Sequence, residues 1–368
     1  MRKIRLFFSA AVAAAAALGC GGPYVKIPDS AELGKEYSAG RDDEIAKRTL
    51  ELTLNSLKKK KADSPDSKVL RDAHPKHHGC TEASFTVEKN IPDALKHGIF
   101  KNPKTYSAYI RFSNGSQTPQ ADSIGDIRGM GIKLMGVEGD KLLESEKKEK
   151  TQDFLIINHP VLPVGDPEEY LNLFEAAFAG KAGSYFFGWN PFGWKLAGLG
   201  KVRAIRSKKI SSMLEIRYWS TTPYQLGQNA VKYSAKSCGN EITSIPDNPG
   251  PDYLKETMKS HLSKKEACFD FMVQVQKDPV KMPVEDPAVE WDEEVSPFVK
   301  VASIKIPVQE FDTPEKMNFC ENLSFTPWHS LPEHRPIGGI NRVRKTVYEG
   351  ISEYRHRENK APRKEPVK

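Results

Sequence analysis

Hydrophobic and polar positions change rhythm along this chain, and the rhythm separates helices from strands. Ala31–Lys61 sets Leu33, Ile45, Ala46, Leu50, Leu52, Leu54 and Leu57 at helical spacing among charges, predicting one or two helices on a domain surface. The polar turn Asp63–Ser67 follows. Alternation and β-branched residues then predict strands at Ser84–Val87, Thr105–Asn114, Ile132–Met135 and from Thr151 to Asn158. Glu168–Ala182 returns to helical spacing through Tyr170, Leu171, Phe174, Ala177 and Phe178. Further strands are predicted at Ile210–Tyr218, Val231–Ser237, Phe269–Lys277 and Val299–Ile306. In the third of these, Phe269, Phe271, Val273 and Val275 share one face. About eight strands, mostly antiparallel, predict an α+β fold: a closed antiparallel β-barrel with helices outside it.

The N-terminus carries an address. Met1–Arg5 is cationic, and Leu6–Leu18 is an apolar run of thirteen residues, too short for a membrane span and typical of a secretory signal. The run ends at Ala17-Leu18-Gly19-Cys20, which resembles the bacterial lipobox, where cleavage precedes a cysteine that is then lipidated. On that resemblance residues 1–19 are a signal peptide and 20–68 a lipid-anchored tether with a surface helix. The chain is then expected in the bacterial envelope or periplasm, touching membrane through Cys20.

Composition narrows the classes. The chain has 368 residues, 38% hydrophobic and 28% charged, enough for a packed core under a polar surface. The net charge is +7, and without Arg2, Lys3 and Arg5 it falls to +4 (7 − 3), which calls for no nucleic-acid partner. The run Lys58–Lys61 reads as a solvated helix end, and residues 359–368 as a basic disordered tail. The cysteines are Cys20, Cys80, Cys238, Cys268 and Cys320; none forms C-x-x-C, which argues against structural zinc. Export permits one or two disulfides without revealing their pairing, and Cys80 reads as a small core residue. Ser184–Lys201 packs six aromatics into ten residues: a channel lining, a lipid-facing loop or a packing cluster.

Candidate chemistry begins at Asn341–Arg357, where four arginines, a histidine and two tyrosines gather. Arg344 and Tyr348 are four apart and share a helix face. A guanidinium beside a phenol favours the phenolate, an oxygen ligand that ferric haem accepts. The same stretch also reads as an ordinary solvated basic helix. Upstream, His74, His77 and His78 crowd together, yet Pro75 breaks any helix aligning them and no further ligands complete a metal sphere.

Several fragments then occur in a telling order. They are Arg71-x-x-His74, Arg111-Phe112-Ser113 and Asp126-x-Arg128-Gly129-x-x-x-Lys133, then the block N-F-C-E-N-L-S-F-T-P at Asn318–Pro327, and Arg344-x-x-x-Tyr348. In this order they resemble the haem catalase superfamily over about Leu70–Arg357, which sets the domain at 69–358. The resemblance implies ferric haem b, with Tyr348 as axial ligand kept ionised by Arg344 and with Arg71, Arg111 and Arg355 on the propionates. It makes His74 the distal acid/base, held in orientation by Ser113, and sets Tyr170 where an aromatic ring packs near the haem. His356 and Arg357 become surface or supporting groups.

The chain also departs from that pattern. His74-Pro75-Lys76-His77-His78-Gly79 replaces H-A-K-G, and the interval from His74 to Phe85 is one residue longer, so His77 and His78 stand as alternatives to His74. Counting back from Pro160, the family's peroxide-binding asparagine falls on Ile157, with Asn158 one residue on. Either a local shift presents Asn158, or the amide is missing. The family's aromatic pair is Leu162-Pro163 here, and nothing marks a nicotinamide site.

The expected function is a haem-dependent peroxidase or catalase-like enzyme that reduces hydrogen peroxide or organic hydroperoxides with an unknown reductant. Without the amide, peroxidase chemistry is favoured over disproportionation. The alternatives are a fatty-acid hydroperoxide lyase or isomerase with residues 184–201 as its entry, and a non-catalytic haem-binding lipoprotein. The sequence is compatible with an oligomer.

Overall fold

The computed structural model describes residues 27–367 apart from residue 29 and residues 240–242, so the predicted signal peptide and Cys20 lie outside the described residues. Nine strands make one antiparallel sheet: β1 (His77–Val87), β2 (Thr105–Asn114), β3 (Arg128–Met135), β4 (Thr151–Ile157), β5 (Tyr218–Trp219), β6 (Tyr224–Leu226), β7 (Asn229–Ser237), β8 (Ala267–Val275) and β9 (Val299–Ile306). Their order is β5-β4-β3-β2-β1-β9-β8-β7-β6, and β5 pairs with β7 as well. Eight of the nine therefore close a barrel, while β6 extends it as a hairpin with β7. The α+β barrel expected from the pattern is present.

Side-chain alternation decides what the barrel holds. Ala108, Ile110 and Phe112 of β2, Ile132 and Leu134 of β3, and Phe154 and Ile156 of β4 fill the interior. Aromatic rings knit this core: Phe85 meets Phe271 edge-on at 5.1 Å, and Phe154 meets Tyr233 at 5.0 Å. The barrel is packed solid, so ligand chemistry belongs outside it. On the other face, Arg111 and Ser113 of β2, Gly129 and Gly131 of β3, and Leu155 and Ile157 of β4 line an external cavity.

The expected strand at Ile210–Tyr218 is not one; only Tyr218–Trp219 pairs. Its apolar residues Ile210, Met213 and Leu214 are buried instead as an irregular plug. Side chains satisfy the backbone there: Tyr218 Oη donates to the Met213 carbonyl (2.7 Å), Tyr253 Oη to that of Ile210 (2.6 Å), and the Leu214 amide to Ser212 Oγ (3.1 Å).

Helices α1 (Asp42–Asp63), α2 (Pro167–Phe178), α3 (Ala182–Phe186), α4 (Leu196–Ser207), α5 (Tyr253–Leu262), α6 (Pro314–Asn322) and α7 (Gly339–Glu358) surround the barrel. The predicted helix 168–182 starts where Asp166 caps it, its side chain accepting from the Glu169 amide at 2.8 Å. Helix α1 packs through Ile45 and Ala46 onto Val343 and Val347 of α7, and a Cβ on Gly350 would lie 2.6 Å from Leu50. The predicted surface helix thus backs the helix that carries Arg344 and Tyr348.

Two disulfides correct the reading of Cys80. Cys80 on β1 joins Cys320 on α6 across 240 residues, and Cys238 joins Cys268. In the loop-entropy account, closing so long a loop contributes about 5 kcal/mol. Within the stretch expected to be disordered, Arg363 and Glu365 pack against the barrel. Glu365 reaches Lys133 (2.6 Å), which is fully buried and also paired with Asp153 (2.7 Å), and Arg363 pairs with Glu146. A buried lysine between two carboxylates explains why the tail stays down, because removing one partner strands a charge.

Candidate active site

A cavity of about 260 Å³ lies between β2–β4, α2 and α7. A single water needs only about 10–15 Å³, so this space is far larger than a packing defect. Its lining includes Arg71, His74, Arg111, Ser113, Tyr170, Arg344, Tyr348 and Arg355, eight of the nine site residues expected from sequence. They come from four separate parts of the chain (the segment before β1, β2, α2 and α7), which only the fold brings together.

On α7, Arg344 Nη2 donates to Tyr348 Oη at 3.1 Å, and its guanidinium lies 5.0 Å from the ring centroid. Arg344 Nη1 is held by Asn341 Oδ1 at 3.1 Å. Burial works against the Arg344 cation, yet the neighbouring phenols Tyr348 and Tyr224 leave it with an acidity lower than usual. A fixed cationic donor on the phenolic oxygen leaves that oxygen's remaining lone pairs for a metal. Burial pushes the Tyr170 phenol well up, so it stays neutral, and its ring packs tilted against Phe174 with centroids 4.3 Å apart.

His74 sits on the segment before β1. Its Nδ1 is 3.0 Å from Ser113 Oγ, which leaves Nε2 as the nitrogen available to a ligand. Its backbone has a φ of 60°, uncommon for a residue with a side chain. The conformation is held by the Arg111 guanidinium, which donates to the His74 carbonyl at 2.8 Å. Burial, then the charges of Arg111, Arg344 and Arg71, push the His74 pKa down to about 3, so the imidazole is neutral near pH 7.

The two alternative histidines have other duties. His78 is fully buried, with Nε2 on Asn114 Oδ1 at 2.9 Å, and Asn114 in turn donates to Asp122 at 2.7 Å. The strand register shifts between His77 and Gly79, a β-bulge that absorbs the one extra residue noted between His74 and Phe85. His77 Nε2 lies 3.5 Å from Glu321. Neither lines the cavity, and no cluster of three metal-ligating side chains occurs among the described residues.

Asn158 is the correction. It does not line the cavity; its Oδ1 accepts from the Arg128 backbone amide at 2.8 Å, and its backbone N–H donates to the Arg128 carbonyl at 2.9 Å. Those bonds extend the β3–β4 ladder by one step and leave the inward position to Ile157. A period of two makes the choice for it, because neighbours in a strand cannot face the same side.

Sequence reasoning missed Glu321. It receives Arg71 at 3.1 Å and Arg355 at 2.7 Å, and among the described residues is the one carboxylate beside Arg71, Arg111 and Arg355. Burial raises its pKa, but the three arginines outweigh that and hold it below the usual carboxylate range. Conversely, burial and the neighbouring cation Arg71 push Arg355 down to about 9 and lower Arg111 strongly. Three guanidiniums against one carboxylate leave two positive charges in surplus (3 − 1 = 2), and Arg111 Nε and Arg355 Nε lack hydrogen-bond partners among the described residues. A flat group bearing two carboxylates, as haem b does, fits that surplus. The signal for Glu321 lay in the block at Asn318–Pro327, as a lone acid in a motif otherwise read for its aromatics.

In its overall structure the chain is similar to catalases. A fungal catalase gives a TM-score of 0.63 at 17% identity, covering 82% of this chain and 62% of that one. Catalase A from Saccharomyces cerevisiae gives 0.61 at 17% identity, covering 82% and 64%. A bacterial catalase gives 0.60 at 14% identity, covering 86% and 63%. The chain therefore spans under two thirds of the length of these catalases, and the likeness establishes the fold. No protein-family profile matches the chain. No curated protein matches it in sequence.

Proposed function

We propose that this chain is a haem-dependent oxidoreductase that reduces peroxides with an electron donor. The observation that carries the reading is that one cavity is lined both by Tyr348 with its arginine and by His74 with its serine. Tyr348 would hold the iron, and Arg71, Arg111 and Arg355 the two propionates. Haem, when bound there, supplies a redox-active iron that cleaves the O–O bond.

The chain's own residues do the remaining work. Neutral His74 takes the proton from the peroxide oxygen nearest the metal and returns it to the departing oxygen, which leaves as water or an alcohol. Ser113 on Nδ1 keeps Nε2 aimed for both transfers. Leu155, Ile157, Leu162 and Phe174 exclude water and suit an organic hydroperoxide as well as hydrogen peroxide. No amide stands at the Ile157 position to orient a second hydrogen peroxide, which favours an external donor over disproportionation. The two disulfides accord with export to an oxidising compartment, and lipid attachment at Cys20 is part of the same proposal.

The test is the absorption spectrum of purified, haem-reconstituted protein. One haem per chain with an intense Soret band is expected, and Tyr348→Phe should shift that band or abolish haem retention. A chain that takes up no haem, or a Tyr348→Phe spectrum identical to wild type, would overturn the reading.

A further inference from the structure

The aromatic loop between α3 and α4 lies outside this chemistry. Phe187, Trp189, Phe192, Trp194 and Leu196 are exposed side by side, Trp189 at 97% and Phe192 at 100%. Of the exposed Phe and Trp side chains among the described residues, only Phe319 lies elsewhere. Single exposed hydrophobics need no explanation, but a contiguous group marks an interaction surface.

The loop is built rather than slack. Trp194 Nε1 donates to the Gly188 carbonyl at 2.9 Å, and the Phe187 and Trp194 rings meet edge-on at 5.3 Å. Asn190 Oδ1 accepts from the Phe192 amide at 3.1 Å, and Phe186 is buried at the root. Lys195 ties the base to α2 through Glu169 at 2.5 Å. These contacts hold the backbone in a compact loop that presents Trp189 and Phe192 to solvent.

Charge identifies the partner. From Ala176 to Leu214 the chain has seven cations (Lys181, Lys195, Lys201, Arg203, Arg206, Lys208 and Lys209) and no Asp or Glu. That segment alone carries +7, so the rest of the chain sums to zero (7 − 7). Lys181, Arg203, Arg206 and Lys209 make no ion pair among the described residues. Exposed aromatics within a segment that carries only cations match the interface of an anionic bilayer, where rings sit at headgroup depth and lysines meet lipid phosphates. We propose that the 187–196 loop is a membrane-docking element that seats on an anionic lipid surface, inserting Trp189 and Phe192. Helix α2, to which Lys195 ties the loop, lines the cavity with Tyr170 and Phe174 on another face, so docking would bring the cavity close to the bilayer. The proposal needs neither haem nor turnover.

The test uses the full chain and vesicles of phosphatidylglycerol with brominated phosphatidylcholine, which quench tryptophans that enter the acyl region. Quenching of the wild type is expected. It should fall in Trp189→Phe, which keeps the loop apolar but removes the reporter. The Trp189→Ser/Phe192→Ser double variant should bind vesicles roughly tenfold or more weakly with unchanged thermal stability. Quenching undiminished in Trp189→Phe would assign binding to another part of the chain and overturn the proposal. So would equal binding of the double variant, or equal binding to purely zwitterionic vesicles. A wild-type oligomer that the double variant dissolves would instead make the loop a contact between copies, and also overturn it.

Discussion

Gly129 on β3 faces His74 so closely that a Cβ at this position would lie 2.5 Å from the His74 Cε1 and 3.0 Å from Ser113 Oγ. The missing side chain is what lets the imidazole and the hydroxyl share one small space over the strand. Gly129→Ala should therefore displace His74 without touching the cluster of three arginines. Haem retention is expected to survive, while peroxide turnover falls by roughly a hundredfold, the scale of losing a positioned acid/base. Stopped-flow measurement of peroxide reduction checks this; full turnover in Gly129→Ala would remove His74 from the mechanism.

Among the described residues, Glu321 is the carboxylate that pairs with the cationic cluster of Arg71, Arg111 and Arg355. Glu321→Gln should destabilise the haem-free chain by about 3 kcal/mol, because the arginines lose their partner in a buried place. Haem carboxylates would restore part of that loss. Thermal unfolding with and without haem should show a larger penalty in the haem-free state. An equal penalty in both states would mean that haem does not meet these arginines.

Ile157 stands where β4 delivers a side chain into the cavity, and Asn158 cannot reach it. Ile157→Asn should give the cavity an amide and raise oxygen release from hydrogen peroxide by about tenfold or more, the order associated with one positioned hydrogen-bond donor. Oxygen-electrode assays beside a phenol-oxidation assay separate the two activities. An unchanged ratio between them would refute the role given to this position.

His334 reports on the barrel core. It sits between the Tyr233 hydroxyl (3.0 Å) and the Ile99 amide (3.0 Å), and burial pushes its pKa down to about 3. Because the unfolded chain binds this proton at higher pH than the folded one, stability is lost as pH falls from about 6.5 toward 3. His334→Gln should be less stable at pH 7, yet its unfolding free energy should fall less steeply with acid. The difference approaches about 1.4 kcal/mol per pH unit, one proton's worth. Urea unfolding between pH 7 and 4 tests this, and parallel curves for the two proteins would contradict it.

How much of this was legible in the sequence depended on the range of the physics involved. Strands Thr105–Asn114 and Val299–Ile306 were read to the residue, because alternation is a local consequence of backbone pleating. The Arg344–Tyr348 pair was legible for the same reason, being one helical turn apart. The segment 210–217 misled because apolar content alone does not distinguish a strand from a buried plug, and its hydrogen bonds come from remote Tyr253 as well as Tyr218. The pairing of Cys80 with Cys320 and the docking of Glu365 on Lys133 span 240 and 232 residues, beyond any local pattern.

The sequence by itself determined most of the barrel's strands, the helix that presents Tyr348, and the ordered fragments from which one site was expected. Tertiary structure decided which side chains meet. A bulge after His77 absorbed an extra residue, so that His74 reaches the cavity and His78 turns to Asn114. The pleat of β4 set Ile157 inward and spent Asn158 on its neighbour's backbone. It also gathered three arginines around Glu321, an imbalance invisible in any linear count of charge, because electrostatics in a buried site depends on distance and desolvation rather than on order along the chain.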